Sequence, residues 1–327
     1  MPLKQAILGC GRWGSFHLWY GSRMGNAMIG WEPAYTPGFR ELQETGKNSY
    51  LELPKNIHLT TNLAEAAACD IITIAVPAQE FRKLASELAA NDLSRTDIIL
   101  CMKGIEKVTG LRLSEIADQE ALNPRSLSIW VGPGHLQQFL AEVPSCMLIA
   151  SDSDHNAIRI SRLMSSDLIR FYWSRDMIGC EVGAAAKNVI GIAAGILDGL
   201  NMSGLKGALM ARAPQEVARL VAAMGGDWRS VYGLSHLGDY EATLFSPFSH
   251  NRLFGEAFAS RTVEGLSGLA EGVDTSSAIM TLAERFDVDM PITRTVRRIL
   301  NRDYPIMDAI AELFSRPEKE EFPENFT

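Results

Sequence analysis

The amino-acid sequence predicts an α/β protein in which a doubly wound, largely parallel sheet is followed by an all-α second domain. The first half repeats a short apolar run, a turn signal and a segment of helical period, as parallel α/β sheets require. The second half has long stretches rich in Ala, Leu and Met instead. A length of 327 residues fits two domains, which we place at residues 1–176 and 177–327.

The apolar runs of the first half are nearly continuous, which is typical of strands covered by helices on both faces. The predicted strands are residues 6–8, 27–31, 70–76, 97–102, 126–131, 146–150 and 169–173. Between them, residues 33–55 are polar and contain Pro and Gly, so we expect an irregular excursion there. The predicted helices of the second half are residues 180–200, 205–224, 275–286 and 293–300. The charged tail from Arg316 is expected to fray or to lie on the surface.

Composition excludes several classes of protein. The 31 Lys and Arg against 39 Asp and Glu give a net charge of −8, without the dominant positive field of general nucleic-acid binders. No uninterrupted apolar run reaches the roughly 18 residues of a membrane span, and the start lacks signal-peptide features, so we expect a cytoplasmic protein. Five cysteines stand singly, which favours buried thiols and predicts no metal site.

A glycine-rich loop directly follows the first predicted strand. Gly9, Gly11 and Gly14 fit G-x-G-x-x-G before a helical segment, where glycines allow a tight turn and a close approach of the backbone to a pyrophosphate. Glu32 follows the second strand about 20 residues further on, where a carboxylate binds the adenosine ribose. Because Glu32 would repel a 2′-phosphate, the pattern favours NAD over NADP.

Two further strand ends carry candidate ligand-binding residues. Val76 and Pro77 end the third predicted strand, and Lys103 follows the fourth. Ligands of open parallel sheets bind beyond the carboxyl ends of the strands, so Lys103 is placed to face a cofactor or substrate. A plain surface lysine is the alternative.

The most informative segment of the second half is residues 181–198. From Val182 to Leu197 only Lys187 and Asn188 are polar, so the pattern predicts a lysine carried into the interior. A buried ammonium needs a carboxylate or ligand partner, and such lysines often have shifted pKa values suited to acid–base chemistry. A lysine that snorkels from a packing helix is the alternative. Asp239 and the polar loop 249–252 complete a candidate anion-binding, proton-transferring site.

At this point the chain resembles the NAD(P)-dependent glycerol-3-phosphate dehydrogenases over nearly its whole length. The matching segments are the glycine loop with Trp13 and residues 50–57, 76–77, 103–106, 132–133, 181–188, 237–239 with 243, 249–252, 271–273 and 290–292. The resemblance implies an N-terminal Rossmann-like domain, an α-helical C-terminal domain, an active site in the cleft between them, and a homodimer.

The resemblance also implies roles for single residues. Lys187 would protonate the developing alkoxide of dihydroxyacetone phosphate, with Asp239 holding it charged and Lys103 beside substrate and cofactor. The implied substrate-binding residues are Gly132, Asn188, Thr243, Ser249, His250, Asn251 and Arg252. The implied cofactor-binding residues are Gly9, Gly11, Arg12, Trp13, Gly14, Glu32, Val76, Pro77, Lys103 and Glu271.

The chain departs from the family pattern at ligand-binding positions. His250 stands where the family has Arg, which removes a permanent phosphate clamp, and Gly134 and His135 replace a hydroxyl residue and Phe. Arg12 and Glu32 are also atypical. The favoured interpretation keeps glycerol 3-phosphate as substrate, with Arg252, Lys206 or Arg212 replacing the missing cation.

Other interpretations remain open at this stage. The same chemistry could act on a phosphonate, another polyol phosphate or a hydroxy acid. The chain could also be a catalytically weak NADH-binding sensor, although retention of the buried Lys187 argues against that. A 6-phosphogluconate dehydrogenase of the same two-domain plan is disfavoured by the Gly-Asp and Ser-x-Asn loops.

Overall fold

The structure is a computed structural model that describes residues 2–262, 270–318, 320 and 321. The chain forms two compact units. The first comprises the described residues up to Met102 with Leu113–Trp130 and His135–Arg175. The second comprises Lys103–Arg112, Val131–Gly134 and the described residues from Asp176 onward. The sequence analysis placed residues 103–112 and 131–134 in the first domain, whereas here they belong to the second unit. The domain boundary at residue 176 stays a prediction.

The first unit is built on an eight-stranded sheet. Its strands are β1 (Lys4–Leu8), β2 (Ala27–Trp31), β3 (His58–Thr60), β4 (Ile71–Ile74), β5 (Asp97–Leu100), β6 (Ser126–Val131), β7 (Ser145–Ser151) and β8 (Ile169–Ser174). Their order is β3-β2-β1-β4-β5-β6-β7-β8, and β1 pairs in parallel with both β2 and β4. The predicted doubly wound, Rossmann-like sheet is confirmed. The order reverses at β1, which makes the carboxyl end of β1 the switch point where such sheets bind ligands.

Helices connect the strands and cover the sheet. They are α1 (Arg12–Arg23), α2 (Phe39–Thr45), α3 (Leu63–Ala67), α4 (Phe81–Leu88), α5 (Leu113–Gln119), α6 (Leu136–Leu140) and α7 (Asp154–Met164). All residues of β4 are buried, as the continuous apolar run predicted. The excursion after β2 contains α2, and β3, which the sequence did not predict, has only three residues.

A buried charge ties the amino ends of the central strands together. Asp97 begins β5 with no exposed surface, and its carboxylate accepts hydrogen bonds from Arg125, Arg159 and Ser126. Burial alone would raise the pKa of Asp97, but the bonds from both arginines outweigh it and hold that pKa well below its usual value. The edge opposite the switch point is therefore stabilised by ionic contacts.

The second unit is helical, as predicted. Its helices are α8 (Met177–Gly199), α9 (Lys206–Ala223), α10 (His250–Ala259), α11 (Glu271–Arg285), α12 (Pro291–Leu300) and α13 (Ile306–Phe314). Helix α8 is the core, and each of its residues from Gly179 to Leu197 is buried. Its glycines let α10 approach closely, since a Cβ added at Gly195 would lie 1.9 Å from the Arg252 carbonyl oxygen.

Among the described residues, α8 has the length and composition of a membrane span. The sequence prediction, which required an uninterrupted apolar run, therefore missed this candidate membrane span. Two adjacent polar residues interrupt its apolar run, but the helix as a whole stays apolar. Most of its apolar window is buried inside the protein, so core packing accounts for its composition. Of the predicted surface tail, Arg316 pairs with Asp289, and residues 322–327 lie outside the described residues.

Candidate active site

The glycine loop between β1 and α1 is constrained by backbone contacts. Gly9 has a φ of +98°, and a Cβ there would lie 2.8 Å from the carbonyl carbon of Ala75, just past the end of β4. A Cβ on Gly14 would lie 1.6 Å from the Gly9 carbonyl oxygen. Only glycine fits these two positions, because the loop turns sharply against neighbouring backbone.

Gly11 differs from these two glycines. It is exposed, and no atom of the described residues lies within 4 Å of a Cβ built on it. It is also the N-cap of α1, whose amide groups form a site for an anion. Arg12 donates to Gln137 nearby, and Trp13 packs edge-on against Phe16. The loop thus fits a dinucleotide pyrophosphate, because it leaves open space at the N-terminus of a helix.

Glu32 lies directly after β2 and contacts this loop. Its Oε1 accepts a 2.6 Å hydrogen bond from the Cys10 amide, and its Oε2 accepts one from the Thr36 hydroxyl. Burial raises the pKa of Glu32, and both hydrogen bonds oppose that rise. Val76 and Pro77 follow β4, partly buried and exposed respectively. The sequence-predicted cofactor residues of the first unit therefore lie at the carboxyl ends of β1, β2 and β4.

A buried cluster of charges forms the centre of the second unit. Lys187 on α8 places its Nζ 2.6 Å from Asp239 Oδ2, and Lys103 places its Nζ 2.9 Å from the same oxygen. Lys187 and Asp239 are 6% and 1% exposed, so this pair is sequestered from water. The carboxylate partner that the sequence required for Lys187 is present, and it is shared by a second lysine.

Neighbouring polar groups fix the geometry of the two lysines. Lys187 Nζ donates to the Thr243 hydroxyl at 3.0 Å, and that hydroxyl donates to the Asp239 carbonyl oxygen. Lys103 Nζ donates to the Gly132 carbonyl oxygen, and Asn188 Nδ2 donates to the Lys103 carbonyl oxygen. Five residues that the sequence singled out separately are therefore in contact with Lys187 or its partners.

The lysine cluster has an electrostatic balance suited to proton transfer. The pKa of Lys187 is lowered to about 8: burial lowers it most, the Asp239 charge opposes that effect, and the charge of Lys103 lowers it as well. Burial raises the pKa of Glu271, the first residue of α11, above its usual value, although the charges of Lys103 and Lys187 oppose that rise. Glu271 therefore lies within electrostatic reach of both lysines.

The loop before α10 contains the other sequence-predicted substrate residues. Ser249 caps α10 by accepting a hydrogen bond from the Arg252 amide, and Asn251 Oδ1 accepts one from the Gly272 amide. His250 is exposed at the first turn of α10. Of the remaining departures from the family pattern, Gly134 and His135 are partly buried, and His135 is the N-cap of α6.

The candidate replacement cations are arranged around a residue that the sequence did not single out. Lys206 Nζ and Arg252 Nη1 lie 2.6 and 2.8 Å from the same Asp198 oxygen. Lys206 also donates to the Leu244 carbonyl oxygen. The missed signal was helical spacing, since Asp198 lies eleven residues, close to three turns, after Lys187 on α8. Arg212 lines a separate apolar groove between α9, α12 and α13.

Metal chemistry has no support in the described part of the chain, where no group of three or more His, Cys, Asp or Glu side chains could hold an ion. The five cysteines, all within the described residues, form no disulfide, and four of them are buried.

Comparison with known proteins extends over both units. The family described as "NAD-dependent glycerol-3-phosphate dehydrogenase N-terminus" matches residues 4–157, and its C-terminal counterpart matches residues 176–311. Glycerol-3-phosphate dehydrogenase (NAD(P)+) of Prosthecochloris aestuarii is 35% identical, over 96% of this chain and 98% of its own length. The Corynebacterium diphtheriae enzyme of the same name is also 35% identical, over 98% of this chain and all of its own length. The crystal structure of glycerol-3-phosphate dehydrogenase from Coxiella burnetii superposes with a TM-score of 0.90 at 28% identity, covering 96% of this chain and 99% of that one.

The Rossmann-like sheet with its glycine loop and the helical unit with its lysine–aspartate cluster define an NAD(P)-dependent dehydrogenase acting on a CH–OH group. The chain belongs to the NAD-dependent glycerol-3-phosphate dehydrogenase family.

The contrast between Gly11 and Gly14 gives a first prediction. Gly14→Ala forces the loop to shift and should lower the free energy of unfolding by about 3 kcal/mol. Gly11→Ala should change stability by less than about 0.5 kcal/mol. It should nevertheless weaken NADH binding about tenfold or more, because the methyl group fills the space left for a pyrophosphate. Thermal unfolding and fluorescence titration with NADH measure the two effects; wild-type NADH affinity in Gly11→Ala would contradict the assignment.

Removing the shared carboxylate should destabilise the second unit. Asp239→Asn leaves the buried Lys187 and the partly buried Lys103 ammonium groups without their carboxylate and should cost about 3–5 kcal/mol at pH 7. The loss should be smaller at pH 9, because Lys187 titrates near pH 8 and is then mostly neutral in the wild type also. Urea unfolding at the two pH values is the measurement. Glu312→Gln, at an exposed pair with Arg298, is the control and should cost less than about 0.5 kcal/mol.

Proposed function

We propose that this chain interconverts sn-glycerol 3-phosphate and dihydroxyacetone phosphate, with NAD as the preferred dinucleotide. The observation that carries the proposal is the buried Lys187 ammonium, held by Asp239 and Thr243 within the second unit. The relatives that bear this activity in their names are similar to the chain over nearly its full length, which supports the same substrate here.

Lys187 is the proton donor when a ketone is reduced and the acceptor when an alcohol is oxidised. A lysine ammonium has three N–H donors, and two of those on Lys187 are directed at Asp239 and Thr243. The third can reach a substrate oxygen. A bound nicotinamide supplies the hydride chemistry. The protein contributes an acid whose pKa of about 8 lies near the operating pH, where general acid–base catalysis is most effective.

Asp239, Lys103 and Asn188 support that acid. Asp239 keeps Lys187 charged although burial favours the neutral form, and Lys103 adds a second positive charge next to the reacting oxygen. The Asn188 side chain holds the backbone of Lys103 in place by donating a hydrogen bond to the Lys103 carbonyl oxygen. The proposed contacts of Asn188 and Thr243 with the substrate follow from their position beside the two ammonium groups.

The phosphate end of the substrate is assigned to the first turn of α10. Ser249, His250 and Asn251 lie there, and helix amide groups favour an anion. Of the three candidate replacement cations, Lys206 and Arg252 contact the carbonyl groups of Leu244 and Ser246, close in sequence to this turn. Arg212 is the weakest candidate because it lines another groove. Lys206 and Arg252 are both paired with Asp198, and Arg252 also with Glu256, so the amide groups of the helix terminus are the main support for a phosphate dianion here.

The alternatives receive less support. Another anionic substrate would account for Gly134, His135 and His250, but the full-length similarity to curated glycerol-3-phosphate dehydrogenases favours the named reaction. An NADH sensor would not need the buried Lys187–Asp239 pair, which is costly to bury. A cytoplasmic location and a homodimer stay predictions from the sequence.

The preference for NAD rests on Glu32. Its partly buried carboxylate lies at the end of β2 and binds the backbone of the glycine loop, so a 2′-phosphate nearby would meet a negative charge. The Glu32 carboxylate lies against the glycine loop, with its Oε1 2.6 Å from the Cys10 amide nitrogen, and this position supports the preference for NAD.

The reaction is tested with Lys187→Ala. We expect turnover of dihydroxyacetone phosphate with NADH to fall about 10²–10⁴-fold while NADH binding is retained. The variant should fold, because Lys103 remains paired with Asp239. In the wild type, kcat/KM for ketone reduction should fall above about pH 8 as Lys187 loses its proton, and kcat/KM for alcohol oxidation should rise toward that pH.

Initial rates of NADH oxidation measure these effects, with unphosphorylated dihydroxyacetone and a phosphonate analogue run in parallel. Saturable turnover of the phosphate at low KM supports the named substrate. Turnover of the phosphonate alone would reassign the substrate, and undiminished activity of Lys187→Ala would reject the role of the lysine.

The cofactor preference is tested with two variants at one position. Glu32→Arg should improve kcat/KM with NADPH relative to NADH by about tenfold or more, since a cation replaces the charge that repels the 2′-phosphate. Glu32→Gln keeps an oxygen that can accept from Cys10 and should shift the ratio less. Steady-state rates with both dinucleotides give the ratio; an unchanged ratio in both variants would show that Glu32 does not face the ribose.

A further inference from the structure

Two buried polar residues flank Asp239 and have no part in the proton transfer described above. His236 and Tyr240 are 0% and 1% exposed. The Tyr240 hydroxyl lies 2.6 Å from His236 Nε2, and His236 Nδ1 lies 2.8 Å from the Gly183 carbonyl oxygen. Burying an imidazole and a phenol is costly unless their polar atoms are paired, and here each finds a partner.

The direction of each hydrogen bond follows from the carbonyl. Because the Gly183 oxygen can only accept, His236 Nδ1 carries the proton. Nε2 is then a bare acceptor, so the Tyr240 hydroxyl donates to it. Burial lowers the pKa of His236 to about 4, with the Gly183 bond opposing that effect. The imidazole is therefore neutral at pH 7. Both hydrogen bonds run in the same direction, from the Tyr240 hydroxyl to His236 and from His236 to the Gly183 carbonyl oxygen.

This chain of hydrogen bonds joins the two turns that carry the proposed acid and its carboxylate. His236 and Tyr240 enclose the 3-10 turn Leu237–Asp239. In an α-helix the carbonyl of residue 183 accepts the amide of residue 187, so His236 contacts the same carbonyl that holds the backbone of Lys187. Gly183 allows this approach, since a Cβ there would lie 3.2 Å from His236 Cβ.

We propose that His236 and Tyr240 are positioning residues that hold the Asp239 carboxylate against the Lys187 ammonium. The proposal rests on the proposed role of Lys187 in proton transfer. The charged groups that act on Lys187 from the surrounding elements are Asp239, Lys103 and Glu271, and His236 faces it as a neutral ring. Among these groups Asp239 alone is directly bonded to Lys187 as an opposite charge, so small displacements of its turn change the proton affinity of the lysine.

The test uses Tyr240→Phe and His236→Ala in the full-length enzyme. Tyr240→Phe removes one hydrogen bond of the chain and His236→Ala removes both, so in each variant Asp239 should support the Lys187 charge less well. We expect the alkaline limb of kcat/KM for ketone reduction to move about 0.5–1 pH unit lower, and kcat at neutral pH to fall about tenfold with KM within about twofold. His236→Asn, whose amide can donate to the Gly183 carbonyl, should recover part of the lost kcat.

Tyr20→Phe is the matched control. Tyr20 is a buried tyrosine of the first unit whose hydroxyl donates to the Met164 carbonyl oxygen at 2.6 Å. It should lose similar thermal stability and keep the wild-type pH profile. If Tyr240→Phe and His236→Ala lower the melting temperature but leave both kcat and the alkaline limb unchanged, the pair is only structural and the inference fails. Lys187→Ala distinguishes the two levels, since retained activity in that variant would reject the proposed role of Lys187 in proton transfer, on which this inference rests.

Discussion

One carboxylate oxygen shared by a buried and a partly buried ammonium group is the interaction on which the second unit depends. Asp239 Oδ2 contacts both Lys187 and Lys103, and these residues come from three separate stretches of the chain. Two positive charges against one negative leave the contact unbalanced by one charge, which a dry interior tolerates poorly. The imbalance is eased by neutral acceptors, namely the Thr243 hydroxyl and the Gly132 carbonyl oxygen. The same imbalance favours an anionic ligand.

The surrounding helices are built to bring these groups close. Helix α8 has small residues around Lys187, and its glycines bring α10 to backbone contact. Gly272 does the same for α11, since a Cβ added there would lie 2.7 Å from the Asn188 carbonyl oxygen. One face of α8 therefore meets Asp239 at Lys187 and meets Lys206 and Arg252 at Asp198. Both ionic clusters are fixed to one rigid element, which is how a buried acid can keep its geometry through a reaction.

Local patterns in the sequence were sufficient for most of the fold. The continuous apolar runs and the glycine motif predicted the doubly wound sheet and the tight loop after its first strand, because strand burial and a backbone-limited turn leave strong local signals. Strand β3 was missed because three residues carry too little pattern. The need of Lys187 for a carboxylate was readable from its apolar surroundings. That Lys103 shares this carboxylate was not, since the packing of residues 103–112 within the second unit is a tertiary property.

The pKa of Lys187 depends on Lys103 as well as on the single carboxylate of Asp239. An isolated Lys187–Asp239 pair would be neutral overall, and attraction would hold the proton on the lysine well above neutral pH. Burial and the second positive charge of Lys103 act in the opposite direction and bring the pKa of Lys187 to about 8. Removing either influence would raise the pKa of Lys187 and leave an acid too weak to release its proton readily. In the proposed reaction Lys103 would therefore tune proton transfer in addition to any contact with substrate, because it lies beside the same Asp239 oxygen.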